Sequence, residues 1–200
     1  NNPTGTMVSP EAMDRFIEQL PDHVIAIIDE AYFELMPEEQ KPDVLKHIRA
    51  GRKNVIALRT FSKAYGLAGL RIGYAVGHPE LIGLLNKVRQ PFNVSTMAQI
   101  AALAALDDTA HLAQTRAMVE QGIRFFEEEL AAIGVKTVPT GANFILAETG
   151  RGREIFQELQ KRQVIVRPVD PYGLPNHVRI SIGTPAQNRK VMDALKEILA

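Results

Sequence analysis

The 200 residues contain no cysteine. That excludes both a disulfide framework and a thiolate metal site. No apolar run approaches the roughly 20 residues that a membrane-spanning helix needs. Neither sign of charge is in excess, because Lys plus Arg total 23 and Asp plus Glu total 23. The balance gives no argument for nucleic acid or an acidic membrane as partner, so any anion has to be held by a few placed cations. The five histidines are scattered without metal-ligand spacing, and no metal is expected. There is no internal repeat, no low-complexity segment and no signal peptide. The chain begins Asn1-Asn2-Pro3-Thr4-Gly5, without a methionine and in mid-motif. We therefore expect a soluble, cytoplasmic protein whose natural amino terminus lies upstream.

What is present suits a globular chain: 46% apolar and 23% charged residues, enough for one large domain or two small ones. Ser9 before Pro10 and Glu11 caps a helix that stops at Pro21. Val24-Ile25-Ala26-Ile27-Ile28 is an unbroken apolar run, as in a parallel strand buried on both faces, and it ends in Asp29-Glu30-Ala31-Tyr32. A helical pattern over 43–50 closes at Gly51. Residues 54–60 read as a second buried strand, followed by the loop Phe61-Ser62-Lys63, and residues 71–76 as a third. Helices over 79–89 and from Ser95 onward complete this part. Then Leu112, Val119, Ile123, Phe126, Leu130 and Ile133 mark one face of a long helix closed by Gly134. Extended stretches at 135–147, 164–166 and 177–183 alternate with helices at 153–162 and 185–199. The order predicts an α/β layer followed by a small α+β domain, joined through the long helix near residues 108–116.

Lys63 follows a buried strand, in a loop of apolar, small and hydroxyl residues that tends to desolvate the amine. It stands at a strand's carboxyl end, where α/β sheets bind ligands. Arg71 follows eight residues later across Gly66 and Gly69, and two neighbouring cations call for an anion such as phosphate. Asp29 closes an apolar strand, where a carboxylate is costly unless paired. The plainer reading, a carboxylate just outside the sheet capping a neighbouring helix, is weighed below it, with Glu30 as the solvated acid of the pair.

Asn2-Pro3-Thr4-Gly5, Asp29-Glu30-Ala31-Tyr32, Thr60-Phe61-Ser62-Lys63 with Gly66 and Arg71, and Val178-Arg179-Ile180-Ser181-Ile182-Gly183 resemble, in order and spacing, the signatures of fold-type I aminotransferases. The resemblance implies residues 1–112 as part of the large domain that binds pyridoxal 5'-phosphate, a mostly parallel sheet with helices on both faces. It implies residues 113–200 as a small carboxyl-terminal α+β domain. Lys63 would be the catalytic Schiff-base lysine and proton shuttle. Asp29 would face the ring nitrogen, Asn2 and Tyr32 the ring's phenolate oxygen, and Thr60, Ser62 and Arg71 the phosphate. Arg179 would grip the substrate carboxylate; its alternation with Ser181, opposite Ile180 and Ile182, gives it a polar face.

Gly141-Ala142-Asn143-Phe144, Val166-Arg167-Pro168 and Tyr172-Gly173-Leu174-Pro175 resemble the histidinol-phosphate aminotransferase branch. That likeness implies a substrate-phosphate contact for Arg167 and a site-lining place for Asn143; a surface salt bridge and a purely backbone role are the plainer readings of the two. The implied partners are an amino acid or amino alcohol phosphate, a 2-oxo acid and a second copy of the chain. An aromatic transaminase and a threonine-phosphate-type decarboxylase remain alternatives, as does a non-catalytic fragment, since the family's amino-terminal half is not here. These 200 residues alone are expected to bind cofactor weakly and transaminate poorly. Gly66, Gly69 and Gly73 do not have dinucleotide spacing, and Asn93-Val94-Ser95 is a sugar acceptor only in a secreted chain.

Overall fold

Two compact units emerge in a computed structural model that describes residues 1–199: Val8–Ala113, and Asn1–Met7 together with the chain from Gln114 on. The first holds α1 (Pro10–Gln19), β1 (Ala26–Asp29), α2 (Val44–Arg49), β2 (Val55–Thr60), β3 (Gly73–Gly77), α3 (Pro79–Val88) and α4 (Thr96–Asp107). Ser9 caps α1 as the sequence predicts, accepting from the Ala12 N–H, and Asp43 and Ser95, where the other helical patterns begin, accept from Lys46 and Ala98.

The sheet order is β1-β2-β3. β1 and β2 are parallel, with Asp29 opposite Leu58, while β3 runs antiparallel with Gly73 opposite Thr60. The sheet is therefore mixed rather than mostly parallel. The link from β2 to β3 carries only a short 3-10 turn at Ala68–Leu70, not the crossover helix that usually joins parallel neighbours. Gly73 permits the close pairing, because a Cβ there would stand 2.6 Å from the Arg59 carbonyl oxygen. Ile17 of α1, Leu20 just after it and Val44 of α2 pack with Ala26, Val55 and Ala57 in the core. That covers one side of β1 only: Ile27, on the other, is 62% exposed, which corrects the expectation of a strand buried on both faces. Met97, Ile100, Leu103 and Leu106 on α4 are exposed as well.

α5 (Thr109–Ala132) begins in the first unit and ends in the second, where Gly134, at φ +75°, closes it. β4 (Lys136–Val138), β5 (Phe144–Glu148), α6 (Gly152–Lys161), β6 (Arg167–Pro168), β7 (His177–Ser181) and α7 (Pro185–Leu199) follow. The sheet order is β4-β5-β7-β6, antiparallel throughout. Phe126 of α5, Ile145 of β5, Ile155 of α6, Ile180 of β7 and Leu195 of α7 meet in its core. One expectation shifts here. Residues 164–166 are not a strand: the Val164 N–H closes α6 on the Leu159 carbonyl at 3.0 Å, and pairing with β7 starts only at Arg167. His177 opens β7 opposite Glu148, within the extended stretch expected there. The first residues are held here too, since the Gly141 N–H donates to the Gly5 carbonyl at 3.0 Å. Gly5 has φ +81°, and a side chain there would collide with Thr140.

Candidate active site

β1 and β2 run side by side and deliver two short segments at their carboxyl ends. Asp29 is the last residue of β1, and its Oδ1 accepts from the Ala31 N–H at 2.9 Å. That turn leads past Tyr32 into a short 3-10 turn, Phe33–Leu35. Asp29 is exposed, not buried as the sequence suggests. The acid that enters the interior is Glu30, 7% exposed, accepting from Arg59 Nε at 2.8 Å. The reason is the twofold alternation of a strand: consecutive residues face opposite sides. On Glu30's side waits Arg59, whose guanidinium lies 3.9 Å from the Phe33 ring centroid.

Burial pushes the Glu30 carboxyl above its usual range, with Arg59 opposing the rise, and burial raises Glu34 in the same way. A carboxyl with a raised folded-state pKa contributes stability that is fully present below its unfolded value of 4.5 and is lost as pH rises through the folded value. Glu34→Gln is therefore expected to stabilise the protein more at pH 8 than at pH 5. Urea midpoints at the two pH values check this, and a larger gain at pH 5 would contradict it.

At the end of β2 the Thr60 hydroxyl accepts from the Ser62 N–H at 3.1 Å and donates to the Ile72 carbonyl at 3.5 Å. Phe61 is buried, with ring centroids 5.0 Å from Tyr65 and 5.8 Å from Tyr74. The loop closes around it through Gly66 N–H to the Lys63 carbonyl and Leu67 N–H to the Phe61 carbonyl. Lys63 is half-buried on this loop, its Nζ 5.5 Å from the Tyr32 ring centroid. Arg71 precedes β3 in left-handed backbone, φ +53°, and donates to the Ala68 carbonyl at 2.9 Å. This end of the sheet thus offers an amine, an exposed carboxylate, a phenol, two hydroxyls and a guanidinium. Such a set suits a phosphorylated carbonyl compound with a basic ring nitrogen.

In the second unit Val178 and Ile180 enter the core, so Arg179 and Ser181 share the opposite face of β7. The Arg179 guanidinium stands 4.8 Å from the Phe144 ring centroid and donates to Asn2 Oδ1 at 2.6 Å. Its partner across the strand pair is Arg167, which donates to the Tyr172 hydroxyl at 3.2 Å. Both arginines line a cavity of about 570 Å³ with Phe156, Pro168, Tyr172 and Ser181, and no acid is among its lining residues. Like charges directly opposite each other destabilise a strand pair, and an anion between them removes the penalty. Asn143 is not among that lining; its carbonyl accepts from the Ile182 N–H at 2.9 Å. Tyr172 and Ser181 were not singled out from the sequence as site residues, although the alternation with Arg179 placed Ser181 on the right face. Among the described residues no group of three or more His, Asp or Glu is disposed to hold a metal.

The family described as aminotransferase class I and II matches residues 1–195. The chain belongs to it. A histidinol-phosphate aminotransferase of Akkermansia muciniphila is 48% identical over 198 residues, spanning 99% of this chain and 54% of the relative. One from Moorella thermoacetica is 49% identical over 201 residues, 100% of this chain and 52% of the relative. Among solved structures, histidinol-phosphate aminotransferase from Sinorhizobium meliloti, in complex with pyridoxal-5'-phosphate, superposes with a TM-score of 0.91 at 32% identity, over 99% of this chain and 55% of that one. The chain thus spans about half the length of the curated relatives it matches.

Proposed function

We infer that the whole protein is a pyridoxal-phosphate transaminase that moves an amino group between histidinol phosphate and a 2-oxo acid such as 2-oxoglutarate. The observation that carries the substrate class is the Arg167–Arg179 opposition in a cavity lined by no acid. Histidinol phosphate carries its negative charge on a phosphate, and 2-oxoglutarate on two carboxylates. Two guanidinium forks serve both, since each matches planar carboxylate and phosphate oxygens.

The residues on the first unit fit the cofactor. Lys63 Nζ stands beside Tyr32 at the carboxyl ends of parallel strands. One Asp29 oxygen is engaged by the Ala31 N–H, which fixes the carboxylate's orientation and leaves the other for a protonated ring nitrogen. On this unit Ser62 and Arg71 would supply donors for a phosphate, joined by Thr60 if its 3.5 Å bond to the Ile72 carbonyl gives way, and Tyr32 one for the phenolate oxygen; Asn2, proposed for the same oxygen, belongs to the other unit. When bound, the cofactor provides an electron sink for charge developing on the substrate carbon. Lys63 Nζ would hold the cofactor's carbonyl carbon at rest and, once displaced from it by the substrate amine, would carry the proton. Arg179 orients the substrate's anionic end, with Arg167 and Tyr172 beside it. We place the division between cofactor and substrate domains at residues 112/113, inside α5 and next to the boundary between the compact units. A cytoplasmic homodimer follows from the family resemblance. No helix among the described residues is long and apolar enough to cross a membrane.

Borohydride reduction of the loaded full-length enzyme, followed by peptide mapping, is expected to place the label on Lys63; a label on another lysine would sink the site assignment. Comparing turnover of histidinol phosphate with phenylalanine then tests the substrate. A clear preference for phenylalanine would turn the reading to an aromatic transaminase.

A further inference from the structure

Most ion pairs of this chain lie on its surface, where each contributes little. Glu30 and Arg59 differ: their side chains are only 6% and 15% exposed. Their location matters as much as their burial. Glu30 sits between Asp29 and Tyr32, its N–H donating to the Leu58 carbonyl at 2.8 Å and its carbonyl accepting from the Phe33 N–H at 3.0 Å. Arg59 immediately precedes Thr60, lies on the Phe33 ring and stands opposite Tyr74 on β3. One guanidinium therefore touches the turn after β1, belongs to β2 and faces β3.

We propose that Glu30 and Arg59 are a positioning pair, which fixes the turn 29–33 against the loop 60–63 and so sets Asp29 and Tyr32 relative to Lys63. The proposal rests on the reading of those residues as the cofactor set. Beyond the bond from the Glu30 N–H to Leu58, the parallel ladder ends. Past that point the ion pair and the Arg59–Phe33 stack tie the two segments together, and Lys63 contacts the Tyr32 ring. Side chains that contact a ligand keep their geometry only when a supporting layer locks them. Arginine is the residue that suits this place, because its planar cation both stacks on an aromatic ring and binds a carboxylate. A lysine retains the charge but loses the stack.

The test uses the full-length protein with Arg59→Lys, Arg59→Gln and Glu30→Gln. In cofactor-free protein, amide hydrogen exchange is expected to rise in residues 29–33 and 60–66 for all three, with residues 144–148 unchanged. In loaded protein, dissociation of pyridoxal phosphate is expected to increase by about 10-fold, the size found when outer partners of a bound group are removed. The pH midpoint of the bound cofactor's absorbance should move as well. Arg59→Lys keeps the buried carboxylate paired, so it should fold normally and still shift that midpoint. The proposal is overturned if Arg59→Lys leaves both the absorbance midpoint and the local exchange unchanged, or if exchange rises uniformly over Val8–Ala113. A failure to label Lys63 would refute the cofactor reading alone, because the exchange in cofactor-free protein judges the pair independently.

Discussion

Lys63→Ala in the full-length protein is expected to lower the single-turnover rate with glutamate by at least about 10²–10⁴-fold, the contribution of a positioned proton-transfer group. The unfolding midpoint should stay close to that of the parent, because a half-buried amine on a loop carries little of the core. Its surroundings differ from those of three other lysines. Lys41, Lys46 and Lys53 of the same unit are each held by a carboxylate: Glu38 at 2.5 Å, Asp14 at 2.6 Å and Glu80 at 3.1 Å. Lys63 instead has the Tyr32 ring as its neighbour, at the sheet end where a ligand enters. Lys63→Arg should not recover the rate, since a guanidinium does not give up its proton in a protein. A variant retaining activity within tenfold would remove Lys63 from the chemistry.

Arg179→Ala is expected to raise KM for both glutamate and histidinol phosphate by about 30-fold or more. Removing one partner of a buried charge pair costs about 2–5 kcal/mol, and 2 kcal/mol corresponds to roughly 30-fold. Arg179→Lys should recover little, because an ammonium lacks the two-pronged donor geometry. Folding should not suffer in proportion, since the substitution also relieves the opposition to Arg167. Steady-state kinetics with both substrates checks this. A KM that rises for one substrate alone would mean that the two anions do not share Arg179.

Local patterns were legible: the cap at Ser9, the helix starts near Asp43 and Ser95, and the alternation that gives Arg179 and Ser181 one face. The family signatures added the order in which Asp29, Lys63 and Arg179 occur. What stayed hidden depends on partners distant in sequence. Asp29 and Glu30 are chemically near-equivalent neighbours, and only the location of Arg59, 29 residues on, decides which is buried. The Val164-Ile165-Val166 run has strand composition, yet its first N–H is taken by the end of α6. Ile27 belongs to an apolar run that reads as doubly covered, but helices within this chain reach only one side of β1. The Arg167–Arg179 opposition is a matter of register, which spacing alone does not specify.

That opposition has a consequence for how the protein responds to its medium. Two cations on opposed strand positions that line one acid-free cavity favour the binding of a counter-ion there. Folding and anion concentration are then thermodynamically linked, since whatever binds only the folded form stabilises it. Phosphate and sulfate buffers are therefore expected to stabilise the fold and, if the proposed site holds, to compete with substrate.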